Sequence, residues 1–454
     1  MSNKEQGVKL QRKVMTSLCV PRLRFPAFRI SDPWAVETFK DIYAFMPSNS
    51  LSREELSYDR GDIRNIHYGD IHTKFAPLFD IRRETVPFIN SAMSLEKMNP
   101  DSFCLEGDMI FADASEDEEG IGKSIEIVNL ASERLLSGMH TLLARQKRNR
   151  LNVGFGGHLF QSGAIRQQVI RVSQGAKVLG ISPSSLAKIL VCYPIEREEQ
   201  RKITDCLSAL DDLIRAESQK LKTLKAHNRD LMHYLFTARD ETIPRQRFAE
   251  FQKARAWRTA SIGEIFETSS GGTPDRSRKE YWGGNIPWVS TALVNFNHIE
   301  KTQEFITADG LKHSSAKIFP PGTILIAMYG QGKTRGKVAI LDIQASTNQA
   351  CAAIIPRDGI DPEFVFLTLS NCYEELRALS NSGGQENLSQ TLIRGFTLSL
   401  PWDIEEQIKI KSCLSRSNEM IAEQELRIEA LTRHKRGLMQ QLFPAITTIE
   451  ESLT

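Results

Sequence analysis

Ala327-Met-Tyr-Gly-Gln-Gly-Lys-Thr334 sets a glycine, a lysine and a hydroxyl at the spacing of a phosphate-binding loop. The chemistry of such a loop is charge neutralisation, with backbone N–H groups and the lysine cradling phosphates at the amino end of a helix. Here Thr334 is followed by Arg335-Gly336 and then a β-type run, Lys337–Leu341, so the context for a nucleotide site is missing. A hairpin-like loop exposing Tyr329, Gln331, Lys333, Thr334 and Arg335 is the better reading, beside that of a merely solvated turn. Glutamine can pair bidentately with adenine and arginine with guanine, while lysine can hold a phosphate.

The acidic stretch Asp113–Glu119 also admits two readings. It is either a solvated turn, or a reader in which a carboxylate such as Asp113 accepts from cytosine N4, helped by Ser115 and with Lys123 offsetting phosphate repulsion. The basic run Arg145-Gln-Lys-Arg-Asn-Arg150, through Arg145 and Lys147, suits phosphate contacts whose strength falls steeply with salt, although any solvated charge run looks alike. His140 and His158 are isolated, so they read as structural or DNA-facing groups rather than metal ligands. Ser91, Ser290, Thr291, Asn348 and Gln385 complete the candidate DNA-facing set. An amino-methyltransferase signature is missing, since Pro320-Pro321 lies between Phe319 and Gly322. No Glu-x-Lys or Asp-x-Lys triplet occurs, nor an H-E-x-x-H, and Gly154-Phe-Gly-Gly157 is too short to mark a cofactor site. The chain is expected to hold no metal and to catalyse nothing itself.

Bulk properties narrow the class. A length of 454 residues suggests about three structural units, and 41% hydrophobic with 25% charged residues describes an ordinary globular protein. No apolar run approaches the roughly 18–20 residues of a membrane span, and MSNKEQGVKLQRK lacks the apolar core of a secretory signal. The 7 cysteines are odd in number and make no C-x-x-C, which favours reduced thiols in the cytoplasm. A net charge of +2 excludes a bulk polycation, so nucleic-acid binding must use local patches or charge borrowed from partners.

These groups need elements to position them, and the chain supplies those elements twice. Pro194-Ile-Glu-Arg-Glu-Glu-Gln200 opens a helical segment closing at Leu231-Met-His-Tyr-Leu-Phe236. Pro401-Trp-Asp-Ile-Glu-Glu-Gln407 opens another closing at Leu438-Met-Gln-Gln-Leu-Phe443, an ungapped offset of 401 − 194 = 207. A lead-in also recurs: Pro21-Arg-Leu-Arg-Phe25 with Phe28 and Trp34, then Pro244-Arg-Gln-Arg-Phe248 with Phe251 and Trp257. Between lead-in and helix lie variable segments with short β-type runs at Val86–Ile89, Met109–Phe111 and Ser124–Val128, and at Ile286–Val289, Thr323–Ile326 and Lys337–Leu341. A shared scaffold with unlike loops is one way for a fold to address two targets.

The helices carry a heptad seam from Leu207 to Leu235 and from Leu414 to Leu442. An antiparallel register would set Glu217 against Lys435 and Asn228 against Gln424. A parallel one would pair Glu217 with Gln424 and Asn228 with Lys435, leaving no charge pair, so antiparallel is expected. Leu213 and Met420, with Met232 and Met439, widen the apolar stripe. They are expected either to pack under the variable segments or to take partner helices in a larger bundle. Helices of about 30–40 residues span roughly 45–60 Å, and half-sites on duplex DNA commonly stand about 34–36 Å apart.

The helix starts, Gly437-Leu-Met-Gln-Gln-Leu-Phe443, Ile286-Pro-Trp-Val289, Gly322-Thr-Ile-Leu-Ile-Ala-Met-Tyr-Gly330 and Thr347-Asn-Gln-Ala-Cys351 together resemble the specificity subunit of Type I restriction-modification systems. Leu136-Ser-Gly-Met-His-Thr141, Ala144-Arg145 and Phe155-Gly-Gly-His-Leu-Phe160 look like a second version of the same domain. The resemblance implies an α+β fold, with two target recognition domains of small mixed sheets joined by two long antiparallel coiled-coil helices in a pseudo-twofold repeat. The expected layout is a first recognition domain at 1–193, a helix at 194–236, a linker and lead-in at 237–257, a second domain at 258–400, and a helix with tail at 401–454. It further implies a bipartite asymmetric double-stranded DNA target, two modification (methyltransferase) subunits on the helices, and restriction/motor subunits beyond. S-adenosylmethionine, ATP and Mg2+ would belong to those partners. The rival readings are a stand-alone DNA-binding or coiled-coil adaptor protein without a methyltransferase partner, and a nucleotide-using enzyme built on the Ala327–Thr334 loop.

Overall fold

The computed structural model describes residues 19–90, 99–238, 241–330, 333–379 and 387–444. Its contacts group into two compact units, residues 1–218 with 427–454, and residues 219–426.

The first unit is built on a five-stranded sheet in the spatial order Tyr43–Met46, Thr141–Gln146, Met109–Ala112, Ser124–Asn129, Leu78–Asp80. The second has Glu267–Ser270, Cys351–Ile355, Ile324–Ala327, Val338–Leu341, Asn297–Ile299 in the same order. In both, only the last pair is parallel. The middle strand explains its own apolar run. Met109 and Phe111 enter one core while Ile110 and Ala112 enter another, and Ile324 and Ile326 part from Leu325 and Ala327 in the same way. A strand covered on both faces has no polar positions to alternate.

Beside each lies a smaller sheet. Arg134–Ser137 runs parallel to Ile63–Ile66, which is antiparallel to Phe88–Ile89; Ala345–Thr347, Trp282–Val289 and Glu304–Ile306 repeat that arrangement. The fourth strands differ: Leu56–Ser57 lies beside Phe88–Ile89, whereas Ile318–Phe319 lies beside Ala345–Thr347. The run expected from Val86 is a strand only at Phe88–Ile89, because Pro87 has no N–H to give a ladder.

The repeated motifs tie the lead-ins to the helices. Arg24 donates from Nε and Nη2 to the two carboxylate oxygens of Glu199, both at 2.7 Å, and Trp34 Nε1 adds a third bond at 3.3 Å. Arg247 and Trp257 do the same to Glu406, at 2.8, 2.6 and 3.2 Å. The following glutamines each donate to the proline carbonyl that opens the helix, and each accepts a backbone N–H, from Asn152 or Asp361. Leu23 N–H donates to Gln441 O and Gln246 N–H to Tyr234 O, both at 2.9 Å, so each lead-in also binds a helix end.

The long helices run Arg197–Leu235 and Ile404–Leu442, 39 residues each. Every a and d position named by the heptad is buried or half-buried. They are antiparallel: Lys435 meets Asp211 and Arg427 meets Glu217 within the first unit, while Lys225 meets Glu425 and Asn228 donates to Asn418 within the second. The expected partners Glu217–Lys435 and Asn228–Gln424 are thus replaced. Polar side chains on the seam reach sideways to the flanking e and g positions, where water still solvates them, instead of meeting across the dry centre.

Cys19 and Cys192 are brought side by side in the first core, Cα atoms 6.7 Å apart. The cause is topological. The lead-in passes beside strand Leu190–Tyr193, which pairs with Ala35–Thr38, so residues far apart in sequence become neighbours. Among the described residues no helix is long and apolar enough to cross a membrane.

Candidate nucleic-acid interface

In the second unit the candidate residues gather at one end of the sheets. Parallel pairing sets Val289 beside Thr347, so Ser290 and Asn348 leave adjacent strand ends, and Asn348 N–H donates to Val289 O at 3.0 Å. Met328 N–H donates to Ala350 O at 2.8 Å, bringing the loop that starts with Tyr329 to the same end. Tyr329 is 43% exposed, Lys333 is exposed, and Ser290, Thr291, Thr334 and Arg335 are half-buried. The loop closes as a hairpin, with Gly336 N–H donating to Ala327 O at 2.9 Å, and runs into strand Val338–Leu341. No helix follows, so the phosphate-loop reading falls. Gly336 has φ +84°, and a Cβ there would stand 2.8 Å from the Arg377 side chain, which requires glycine. Asn348 Oδ1 and Arg335 Nε are buried and make no hydrogen bond among the described residues.

The equivalent end of the first unit carries different chemistry. His140, at φ +56°, shares a contact of 3.2 Å with Asp113 through Nδ1 and sets its ring edge-on to Tyr68 at 5.3 Å. The acidic loop is an ordered turn: Asp117 accepts from Gly120 N–H at 2.6 Å, and Ser115 Oγ accepts from Asp117 N–H at 3.2 Å. Lys123 Nζ donates to His72 O at 2.7 Å. Between this loop and helix Tyr68–Thr73 lies a cleft of about 590 Å³, whose walls include Tyr68, His72, Ser115, Glu119 and Lys123. Near it the fully buried Asp70 carboxylate receives Arg53 at 2.7 and 3.0 Å and Lys74 at 2.8 Å. Burial opposes its charge, but the two cations hold it below the usual carboxylate range.

Other expected contacts are differently engaged. Arg145 is bound to the buried Asp108 carboxylate and to Phe103 O, and Lys147 donates to Lys40 O. Arg150 lies 3.6 Å from Glu37. Arg145 is therefore stitched into the fold, whereas Lys147, Arg148 and Arg150 are exposed. His158 is buried against Ser208, its pKa pushed down to about 3 by burial, and is a neutral packing group. Ser91, Gln331 and Gln385 lie outside the described residues. On the helices, Leu213 and Met420 are 40% and 52% exposed. Met232 and Met439 are half-buried and pack against the cores of the two units. Sequence reasoning missed Tyr68 and His72, because they form no motif and only the fold brings them to the cleft.

Residues 255–433 match the family described as Type I restriction modification DNA specificity domain. The chain is 31% identical over 192 residues to the Type I restriction enzyme MjaIX specificity subunit of Methanocaldococcus jannaschii, covering 41% of this chain and 44% of that one. It is 29% identical over 166 residues to the EcoR124I/EcoR124II specificity subunit of Escherichia coli, covering 35% and 40%. The matched stretch thus spans less than half the length of either relative. In fold it resembles the Type I restriction-modification S subunit from M. genitalium, with TM-score 0.56 at 14% identity, over 94% of this chain and 99% of that one. The chain is thus similar to the specificity subunits of Type I restriction-modification systems, in the domain matched over residues 255–433 and in its duplicated α+β fold.

Proposed function

We propose that the chain is the non-catalytic DNA-reading subunit of a Type I restriction-modification complex, each unit recognising one half of a bipartite, asymmetric duplex target. The observation that carries this reading is the pair of connections between equivalent strands. One holds Asp113–Lys123, rich in carboxylates; the other holds Met328–Lys337, rich in amide, hydroxyl and cationic donors. Donors suit the acceptor edges of purines, whereas carboxylates suit the amino group of cytosine, so the two half-sites differ. The long helices, with Leu213 and Met420 outward, dock two modification subunits, and restriction/motor subunits complete the assembly. S-adenosylmethionine, ATP and Mg2+ are bound by those partners.

The test is to replace residues 258–400 with another recognition domain, co-express the chain with its modification subunits, and map methylated sites across the host genome. One half of the methylated sequence changes and the other stays. A change in both halves, or an unchanged sequence, overturns the modular reading.

A further inference from the structure

Both candidate reading loops are held from behind, by the same part of the scaffold, through their main chains. In the first unit Arg166, on helix Gly163–Val172, donates from Nη1 to Ile121 O at 2.6 Å and from Nη2 to Glu118 O and Glu119 O at 3.1 and 2.9 Å. The loop is pressed onto that helix: Gly122 has φ +61°, and a Cβ there would stand 2.5 Å from Val169. In the second unit Tyr373, at the start of helix Tyr373–Ala378, donates its hydroxyl to Lys333 O at 2.7 Å and receives Arg377 Nη1 at 3.2 Å. Each of these helices directly follows the helix that carries Phe155 or Phe364, the ring packed on Trp34 or Trp257.

We propose that Arg166 is a positioning residue for DNA specificity, fixing the Asp113–Lys123 loop against its helix, and that Tyr373 does the same for the Lys333–Lys337 limb of the second loop. The inference rests on the DNA-reading function proposed above. Its physical basis is that every loop residue has a carbonyl, whatever its side chain. A clamp on carbonyls therefore fixes where the loop stands while leaving its outward side chains free to differ. Arg166 is largely desolvated, and burial pulls its pKa below the ordinary guanidinium value. A cation so placed is tolerable only while the carbonyl dipoles surround it. Removing it frees the loop to shift relative to the DNA, and a misplaced loop loses discrimination before it loses binding.

The experiment uses the full chain co-expressed with its modification subunits and reads methylated sites genome-wide, with thermal melting of each purified complex as the folding control. Arg166→Met is expected to raise methylation of sites mismatched in one half by about tenfold, the scale of one lost base contact. Tyr373→Phe, which removes a single hydroxyl, relaxes the other half. Arg166→Lys, able to reach fewer carbonyls, falls between wild type and Arg166→Met. Uniformly reduced methylation with the consensus intact marks a merely structural role and overturns the assignment, as does relaxation of the same half by both variants. Should Arg166→Met not accumulate, Arg166→Lys and Tyr373→Phe carry the comparison. Failure of the DNA-reading function looks different: the wild-type chain itself would direct no sequence-specific methylation.

Discussion

Glu199 and Glu406 each accept three hydrogen bonds from the arginine and tryptophan of the preceding lead-in, and the arginine partners are only 9% and 6% exposed. Removing such a carboxylate leaves a buried guanidinium unpaired, which costs about 3–5 kcal/mol. Glu406→Ala should therefore lower the denaturant midpoint sharply, and Arg247→Met added to it should recover part of the loss. If the double variant is no more stable than the single, the cost comes from elsewhere. Glu126 is a different case. It is fully buried, accepts Gly157 N–H at 2.6 Å, and has its pKa pushed up to about 8 by burial. Between the ordinary value of 4.5 and about 8 the folded chain keeps a proton that the unfolded chain has released. The unfolded state binds fewer protons there, so this group's contribution to stability falls as pH rises through that window. Glu126→Gln should remove that fall and melt several degrees higher than wild type at pH 8. Parallel melting profiles for the two proteins from pH 5 to 9 would count against a buried neutral carboxyl.

At the level of elements, Lys435 and Asp211 have side chains only 15% and 27% exposed, enough burial for their pairing to matter. Asp211→Lys should destabilise the chain, and Lys435→Glu should restore about 1 kcal/mol of that loss in a double-mutant cycle. Glu217→Lys, by contrast, should be rescued by Arg427→Glu and not by Lys435→Glu. The helices and their direction were legible in the sequence because a seam repeats every heptad and its polar breaks must be matched. The exact partners were not, since long side chains leave the seam for e and g positions that a straight-across pairing ignores. The middle strands were legible from their continuous apolar runs. Sheet order was not, because the Leu78–Asp80 and Asn297–Ile299 edge strands are three residues long and carry no period. The candidate loops could be found as polar breaks between strands. Their anchoring by Arg166 and Tyr373 could not, because the acceptors are main-chain carbonyls that leave no mark on residue type.

At the level of the molecule, the duplication decides what each half of the chain lacks. The first core includes Leu442 and Phe443 beside Trp34, Phe155, Ile203 and Leu207, with Leu438 and Met439 packed against it. The second core includes Leu235 and Phe236 beside Trp257, Phe364, Ile410 and Leu414, with Leu231 and Met232 packed against it. Residues 1–236 therefore carry the body of the first unit without the helix end that closes its core, yet they carry Leu231–Phe236, the repeat equivalent of Leu438–Phe443. A second copy can supply that end, and the exchange is reciprocal, so the contact closes as a symmetric dimer. A chain of residues 1–236 should elute and scatter light as a dimer. Phe236→Ala, which truncates the ring that must replace Phe443, should shift it toward an unstable monomer. With modification subunits present, the dimer should methylate a target whose two halves are inverted copies, because both readers are then the same. A cooperatively melting monomer would show that the first core does not need the helix end and that the repeat does not work by exchange.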